Sequence, residues 1–184
     1  TAYTGLVTLV QLSACILGDK NRMSYDAGIS YIKNVLEATK TLLKNPNDLD
    51  TRSIIMMGAS LSTSSRLGIG KEEAYAYDIY ELEFLPEKLF GSSYRRSLTS
   101  IFPRFLEAMG KRHKEDVRKY YLDVFGFDSS IEESSRKLVA LFSDFGVDMY
   151  YDGIINREQV GCIPCDTELD ENEIFEMING LIRK

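Results

Sequence analysis

The chain has 184 residues, which is enough for one domain with a sizeable core or for one half of a two-domain protein. Its formal net charge of −6 at pH 7 argues against a nucleic-acid partner or an anionic membrane surface, because lysine and arginine in excess usually bind both. No uninterrupted apolar run reaches the roughly 18 residues that a membrane-spanning helix needs.

The N-terminal quarter of the chain predicts two helices. Apolar residues recur at helical spacing over residues 6–17 with little charge on any side, which indicates a buried helix that ends near Gly18. Ser24 or Asp26 can cap a second helix, whose apolar stripe continues to the NPND sequence at 45–48.

Two further helices are predicted in the next part of the chain. A third helix begins at Asp50 or Thr51 and carries small residues around Gly58, which permit close helix packing and favour a central position. A fourth helix covers about residues 72–84, where carboxylates and tyrosines are concentrated.

The following segment begins with a loop marked by Pro86. A fifth helix then covers about residues 93–109, and Pro103 should kink or divide it, because proline removes a backbone donor inside a helix. A short sixth helix is predicted over about residues 115–125.

The C-terminal third contains two helix-start signals. Ser130 with Glu133 predicts a capping box and a helix that continues to Gly146. Residues 147–165 lack periodicity and are predicted to be a loop, after which Asp170 begins the last helix. The prediction is an all-α domain of about seven to eight helices over residues 1–184, without internal repeats.

Three cysteines and a single histidine limit the chemistry of the chain. Cys15 lies in an apolar helical run and is expected to be a small core residue. Cys162 and Cys165 form one C-x-x-C, which we interpret as loop rather than as a redox pair or half of a zinc site, because no second C-x-x-C or histidine lies nearby. His113, in the run GKRHKEDVRK, is expected to be a solvated residue at a helix start. Cysteine usage favours a reducing, cytoplasmic compartment.

Two hypotheses for a binding site follow from the residues of the middle segment. Asp78, Glu81 and Glu83 can supply oxygen ligands to a hard cation such as Mg²⁺ or Ca²⁺, although a solvated acidic helix surface is the ordinary alternative, which we favour. A second hypothesis is a pocket for an anionic small molecule; its alternative is half-buried aromatic packing, which we favour. The residues of this pocket would be Tyr77, Tyr80, Tyr94, Arg95 and Arg96.

Four segments occur in this order: TRSIIMMGASLS, GKEEAYAYDIYELEF, SSYRRSLTSIFPRFLEAM and KLVALFSDFGVDMYYDGI. Together they resemble the C-terminal helical domain of the iron-containing alcohol dehydrogenase family, whose fold is shared with dehydroquinate synthase and glycerol dehydrogenase. The resemblance covers nearly the whole chain. It implies a divalent iron or zinc ion, held by one Asp and three His, that polarises an alcohol or carbonyl oxygen while hydride moves to or from NAD(P) bound by a separate N-terminal domain.

The metal-ligand positions implied by the resemblance carry other residues in this chain. The Asp and the first His fall on Thr4 and Thr8, one helical turn apart; the second His falls on Asp78, or on Tyr80 if a small gap is placed near Pro86; and the third falls on Tyr94. A further family histidine falls on Leu82, and the glutamate beside it is kept as Glu83. The pocket candidates are therefore Asp78, Tyr80, Leu82, Glu83, Tyr94 and Arg95.

We therefore expect the helical domain of an alcohol dehydrogenase-like protein without a working metal site, inactive as an isolated chain. The alternative is a non-catalytic helical binding or interaction module with the same packing. No metal or nucleotide is expected on residues 1–184; NAD(P), iron and zinc enter through the resemblance alone. The chain does not begin with methionine, so we expect a piece of a longer protein. Expected partners are a small-molecule ligand and either an N-terminal nucleotide-binding domain or further copies of the chain.

Overall fold

The computed structural model describes residues 1–64, 66–69, 71 and 73–183, and within these ranges it is helical with no β-strand. The α-helices are α1 (Ala2–Ile16), α2 (Arg22–Lys44), α3 (Leu49–Thr63), α4 (Ile79–Leu82), α5 (Phe84–Phe90), α6 (Tyr94–Met109), α7 (Lys114–Phe125), α8 (Ile131–Asp144), α9 (Arg157–Gly161) and α10 (Glu171–Asn179). A 3-10 helix, Tyr75–Asp78, precedes α4. None of the described helices is both long and apolar enough to cross a membrane. The predicted all-α fold is confirmed.

The α1 helix lies in the centre of the domain, as its uniformly apolar sequence predicts. It packs against α2, α3 and α6, and Leu6, Leu9 and Leu12 are fully buried in the core. The α6 helix extends the same core, because it packs against α1, α8 and α10. A single hydrophobic cluster therefore joins both ends of the chain.

The α3 helix does not have the central position that its small residues predicted. Gly58 does allow close packing, since an added Cβ would lie 2.7 Å from Val35 Cγ2 of α2. However, α3 buries only Ile55 and Gly58, and Met56 and Met57 are 72% and 62% exposed. The small residues bring α3 close to its neighbours on one side and leave an apolar surface on the other.

The predicted fourth helix is divided into shorter elements. Its expected start at Glu72 lies outside the described residues; the chain then forms the 3-10 helix, α4 and α5. Pro86 lies in the first turn of α5, where the missing N–H costs no helical hydrogen bond. Pro103 does not divide α6, which is one continuous helix from Tyr94 to Met109, so the prediction of a division was wrong.

The C-terminal third contains one helix that the sequence did not predict. Within residues 147–165, Asn156 and Gln159 form a reciprocal capping box that begins the five-residue helix α9. Five residues are too few to show a helical period. The start signals at Ser130 and Asp170 are confirmed, because each side chain accepts a hydrogen bond from the backbone three residues later. The described residues therefore form more helices than the seven or eight predicted, because α9 was not expected and the predicted fourth helix is divided.

Candidate functional site

Four side chains of α1 lie on one face because of their helical spacing: Thr4, Thr8, Gln11 and Cys15, called here the α1 stripe. Thr8 and Cys15 are buried, whereas Thr4 is exposed. The stripe faces α3 on one side, since Ser62 Oγ donates to Gln11 Oε1 at 3.4 Å and Cys15 Sγ donates to the Ser62 carbonyl at 3.4 Å. Cys15 is thus a core residue, as predicted.

The N-terminus of α6 lies on another side of the α1 stripe. Gln11 Nε2 donates a hydrogen bond to Tyr94 Oη at 3.2 Å, and Arg95 Nη1 donates to Thr4 Oγ1 at 3.5 Å. The structure therefore brings Tyr94 to the stripe that contains Thr4 and Thr8, although Thr4 and Tyr94 are 90 residues apart in the sequence.

Two tyrosines of the 3-10 helix and α4 extend this group. The rings of Tyr77 and Tyr80 stack with centroids 6.4 Å apart. Burial raises the pKa of Tyr80, and the neighbouring Cys15 and Tyr94 raise it further. Tyr80 therefore lies within electrostatic range of Tyr94 and of Cys15 in the α1 stripe.

Lys71 is a residue of this region that the sequence did not indicate. Its ammonium donates to the Ala14 carbonyl and lies 3.8 Å from the centre of the Tyr77 ring. Burial lowers its pKa to about 8, although Cys15 and Asp19 act in the opposite direction. Lys71 lies in a segment without periodicity, so no pattern could have identified it.

Three of the predicted pocket residues have other surroundings. Asp78 Oδ2 accepts hydrogen bonds from Thr167 Oγ1 and from the Glu168 backbone N–H, each at 2.8 Å. Leu82 is fully buried in the hydrophobic core. Glu83 is 3% exposed, and its Oε2 has no hydrogen-bond partner. These side chains are held by packing or by the C-terminal segment.

The two binding-site hypotheses lose part of their support in the structure. Among the described residues, no group of three or more His, Cys, Asp and Glu side chains is arranged to hold a metal ion, which contradicts the cation site at Asp78, Glu81 and Glu83. Arg96 does not join an anion pocket, because it donates to Asp148 Oδ2 at 2.8 Å and its guanidinium lies 4.4 Å from the centre of the Tyr151 ring.

His113 is the N-cap residue of α7, so its position at a helix start is as predicted, but it is only partly exposed to solvent. Its side chain is 16% exposed, and its ring stacks on Tyr75 with centroids 3.8 Å apart and planes 6° apart. Cys162 and Cys165 are free thiols, and Cys165 Sγ lies 3.8 Å from the Glu81 carbonyl. The sequence could not predict the packing of His113, because its contacts come from distant segments.

The side chains around the α1 stripe do not fit an iron or zinc ion. Thr8 Oγ1 donates to the Thr4 carbonyl at 3.0 Å, and the Tyr94 phenol accepts from Gln11. Neutral hydroxyls and phenols bind these metals poorly compared with imidazole and carboxylate. The Arg95 guanidinium beside Thr4 also repels a divalent cation. Thr4, Thr8 and Tyr94 are thus held by hydrogen bonds within the protein, and the Tyr80 ring stacks on Tyr77.

Comparison with solved structures identifies proteins whose fold is similar to that of this chain. The whole chain superimposes on 52% of the NADH-dependent butanol dehydrogenase A of Thermotoga maritima, with a TM-score of 0.82 at 13% identity. It also matches an iron-containing alcohol dehydrogenase of Corynebacterium glutamicum, with 98% of this chain on 51% of that one, a TM-score of 0.64 and 14% identity.

A third solved structure is the aldehyde reductase YqhD from E. coli, which matches 81% of this chain with 41% of its own, at a TM-score of 0.68 and 16% identity. No protein-family model and no curated protein matches the sequence. The chain thus spans about half the length of the solved structures it matches. At these identities the likeness establishes the fold, and the fold-level resemblance predicted from the sequence is confirmed.

Proposed function

We propose that this chain, which has the fold of the C-terminal helical domain of iron-containing alcohol dehydrogenases, is the substrate-side domain of an NAD(P)-dependent oxidoreductase of that type without its metal. The observation that carries the proposal is the contact between α1 and the start of α6, where Gln11 donates a hydrogen bond to Tyr94 and Arg95 donates one to Thr4. The resemblance assigns metal ligands to Thr4, Thr8, Tyr94 and either Asp78 or Tyr80, so at most one of the four positions carries a carboxylate.

The proposed loss of the metal follows from the chemistry of these donors. Hydride transfer from an alcohol needs a group that stabilises the developing negative charge on its oxygen, and in this family the resemblance assigns that role to the metal. Without it, two described cations lie beside α1, Arg95 and Lys71, and both already have partners in the protein. The isolated chain should therefore not oxidise alcohols or reduce aldehydes.

NAD(P) binding belongs, in this proposal, to a separate nucleotide-binding domain outside residues 1–184. The solved structures matched by the chain have about as much chain again beyond the matched half, which supports such a partner. A small organic molecule that contacts Tyr80, Tyr94 and Arg95 is the ligand expected on this side.

Metal analysis tests the proposal directly. Protein purified without chelators should contain far less than one equivalent of iron or zinc, and its melting temperature should not rise with added Fe²⁺, Zn²⁺, Mg²⁺ or Mn²⁺. Butanol with NAD⁺ and short aldehydes with NADH should give no turnover. One equivalent of bound metal, or a melting temperature that rises with metal concentration, contradicts the proposal.

The second candidate function is a non-catalytic interaction module, and the exposed side of α3 favours it. Met56 and Met57 lie on this surface with Ile54, and methionine-rich surfaces suit the binding of protein partners. The residues encoded before Thr1 distinguish the two functions. A strand followed by a glycine-rich turn there favours the oxidoreductase, and a sequence without them favours the module.

A further inference from the structure

A cavity of about 460 Å³ lies between the end of α6, the start of α7 and the start of α8, and no residue of the α1 stripe lines it. The buried residues in its wall are Gly110, which follows α6, and Ile131, the first residue of α8. They approach each other closely, since an added Cβ at Gly110 would lie 2.6 Å from Ile131 Cδ1. The cavity is therefore large enough for a small molecule and has an apolar wall where two helix ends meet.

Three cationic side chains line the cavity: Lys111 from the loop before α7, and Lys114 and Arg118 from α7 itself. Lys114 and Arg118 are four residues apart and lie on one face of the helix, where like charges repel each other. Lys114 also lies in the first turn of α7, where the helix dipole favours acidic side chains. This arrangement of charges opposes the stability of α7 unless negative charge lies close to it.

Two acidic side chains line the cavity as well. Glu107 Oε2 accepts a hydrogen bond from Arg104 Nη1 at 3.0 Å within α6. Glu132 lies in the first turn of α8, where its own backbone N–H and the Ser130 hydroxyl hold the pKa of its carboxyl below the usual range, with a smaller contribution from Lys114. Glu107 is thus engaged within α6, and Glu132 mainly with the start of its own helix.

The cations of the cavity have few carboxylate partners of their own. Lys111 Nζ lies 3.7 Å from Glu173 Oε1, which also pairs with the preceding arginine. In the described part of the chain, neither Lys114 nor Arg118 forms an ion pair with a carboxylate. Two positive charges on one helix face are therefore available to an anion.

The wall opposite α7 carries hydroxyl groups. Ser129 and Ser130 line the cavity immediately before α8. Ser129 Oγ accepts a hydrogen bond from Lys137 Nζ at 3.2 Å and lies 2.9 Å from Ser134 Oγ. A serine hydroxyl can rotate and donate its proton to a new acceptor. Cations on one wall and hydroxyl donors on the other together suit an anion with several oxygens.

We propose that this cavity binds the phosphate group of a small phosphorylated molecule, held by Lys114 and Arg118 on α7 and by the serine hydroxyls before α8. A phosphate group carries a charge of about −1.5 to −2 at pH 7, which matches the two cations. The Arg118 guanidinium offers forked N–H donors that fit phosphate oxygens. The organic part of the ligand lies against the apolar wall. The site is separate from the α1 stripe and does not depend on the proposed function.

Titration of the whole chain with inorganic pyrophosphate, followed by ¹H–¹⁵N NMR, tests the site. At constant ionic strength the backbone amides of Gly110, Ser129 and Ser130 should shift and saturate, because the anion changes their surroundings. Acetate at the same ionic strength should leave these amides unchanged. Absence of saturable shifts at these amides overturns the proposal, and equal shifts with acetate overturn the assignment to phosphate.

Substitutions distinguish a specific site from general attraction to surface charge. Lys114→Gln and Arg118→Gln should each weaken pyrophosphate binding by at least about fivefold, because each removes a charged hydrogen-bond donor. The control is Lys33→Gln on α2, which should leave the affinity unchanged. All three positions are exposed, so the variants should keep the circular dichroism of the wild type. Equal affinities of the wild type and both α7 variants, or an equal loss in Lys33→Gln, overturn the proposal.

Discussion

Glu83 is the most confined acid of the described structure, at 3% exposure and with no hydrogen-bond partner for Oε2. Burial, assisted by Glu87, raises its pKa from the ordinary 4.5 to about 7. The folded protein holds this proton more tightly than the unfolded chain does. The contribution of Glu83 to stability is therefore complete below about pH 4.5 and is lost as pH rises through 7.

Glu83→Gln tests how the raised pKa affects stability, because the substitution keeps the shape of the side chain and removes the charge. Between pH 5 and pH 8 the stability of the variant relative to the wild type should grow by about 1–2 kcal/mol. Urea unfolding at several pH values measures the difference. Glu171→Gln, an exposed acid at the start of α10, is the control and should show little change. If the difference in stability between Glu83→Gln and the wild type does not change with pH, the Glu83 carboxyl is solvated.

Residue-scale predictions from the sequence succeeded where the local pattern determines the environment. Cys15 was correctly placed in the core because its neighbours repeat at helical spacing. For His113, the charged neighbours suggested solvent, whereas Glu73 and Glu168 lie 40 and 55 residues away and cover both ring nitrogens. Pairing between distant segments leaves no local signal, so the sequence could not reveal it.

At the scale of helices, the crossing of α1 and α2 depends on the absence of a side chain at Gly5. An added Cβ there would overlap Thr39 Oγ1 and lie 2.8 Å from Thr39 Cγ2. The hydroxyl cannot simply turn away, because it donates to the Val35 carbonyl at 2.7 Å within α2. The two helices can approach this closely only with glycine at position 5.

Gly5→Ala should therefore destabilise the protein by about 1–3 kcal/mol, since the clash outweighs the better helix propensity of alanine. Gly161→Ala is the matched control, because an added Cβ in α9 would meet nothing within 4 Å. The control should be neutral or stabilising by up to about 1 kcal/mol. Thermal unfolding of both variants measures the contrast, and similar effects of the two substitutions would argue against a close α1–α2 contact.

Helix starts were predictable where a cap and a periodic face occur together, as at Ser130 and Asp170. The region from Tyr75 to Phe90 was not, because three short elements share one run of apolar and acidic residues. The predicted helix from 72 to 84 left Asp78 and, with a small gap, Tyr80 as candidates. In the structure Asp78 accepts a hydrogen bond from Thr167, and Tyr80 lies within electrostatic range of Tyr94.

The arrangement of α1, α4 and α6 can be tested by restoring the residues that the resemblance expects. The variant Thr4→Asp, Thr8→His, Tyr80→His and Tyr94→His should bind Zn²⁺ and gain melting temperature with metal, because the proposed function places these four positions together around the α1 stripe. The control variant has Asp78→His in place of Tyr80→His and should bind Zn²⁺ at least about tenfold more weakly. Equal zinc binding by the two variants would contradict the position assigned to Tyr80.

At the scale of the whole molecule, one core cluster includes residues from α1 to the C-terminal segment. Its centre contains a buried polar contact between distant parts of the chain: Ser13 Oγ of α1 lies 2.6 Å from Tyr120 Oη of α7. Ser13 Oγ already donates to the Leu9 carbonyl at 2.7 Å, so the tyrosine hydroxyl is the donor between the two helices. A continuous core of this kind should unfold in one transition.

Tyr120→Phe should test this connection with minimal change in packing. Loss of the hydroxyl removes the hydrogen bond to Ser13, and we expect a destabilisation of about 1–2 kcal/mol, with near- and far-ultraviolet circular dichroism still reporting one coincident transition. Tyr75→Phe is the matched control: Tyr75 is equally buried, but its hydroxyl has no hydrogen-bond partner, so removal should be neutral or stabilising. Separate transitions for the two probes would show that the N-terminal helices and the later helices form independent cores, because a single buried contact network cannot unfold in parts.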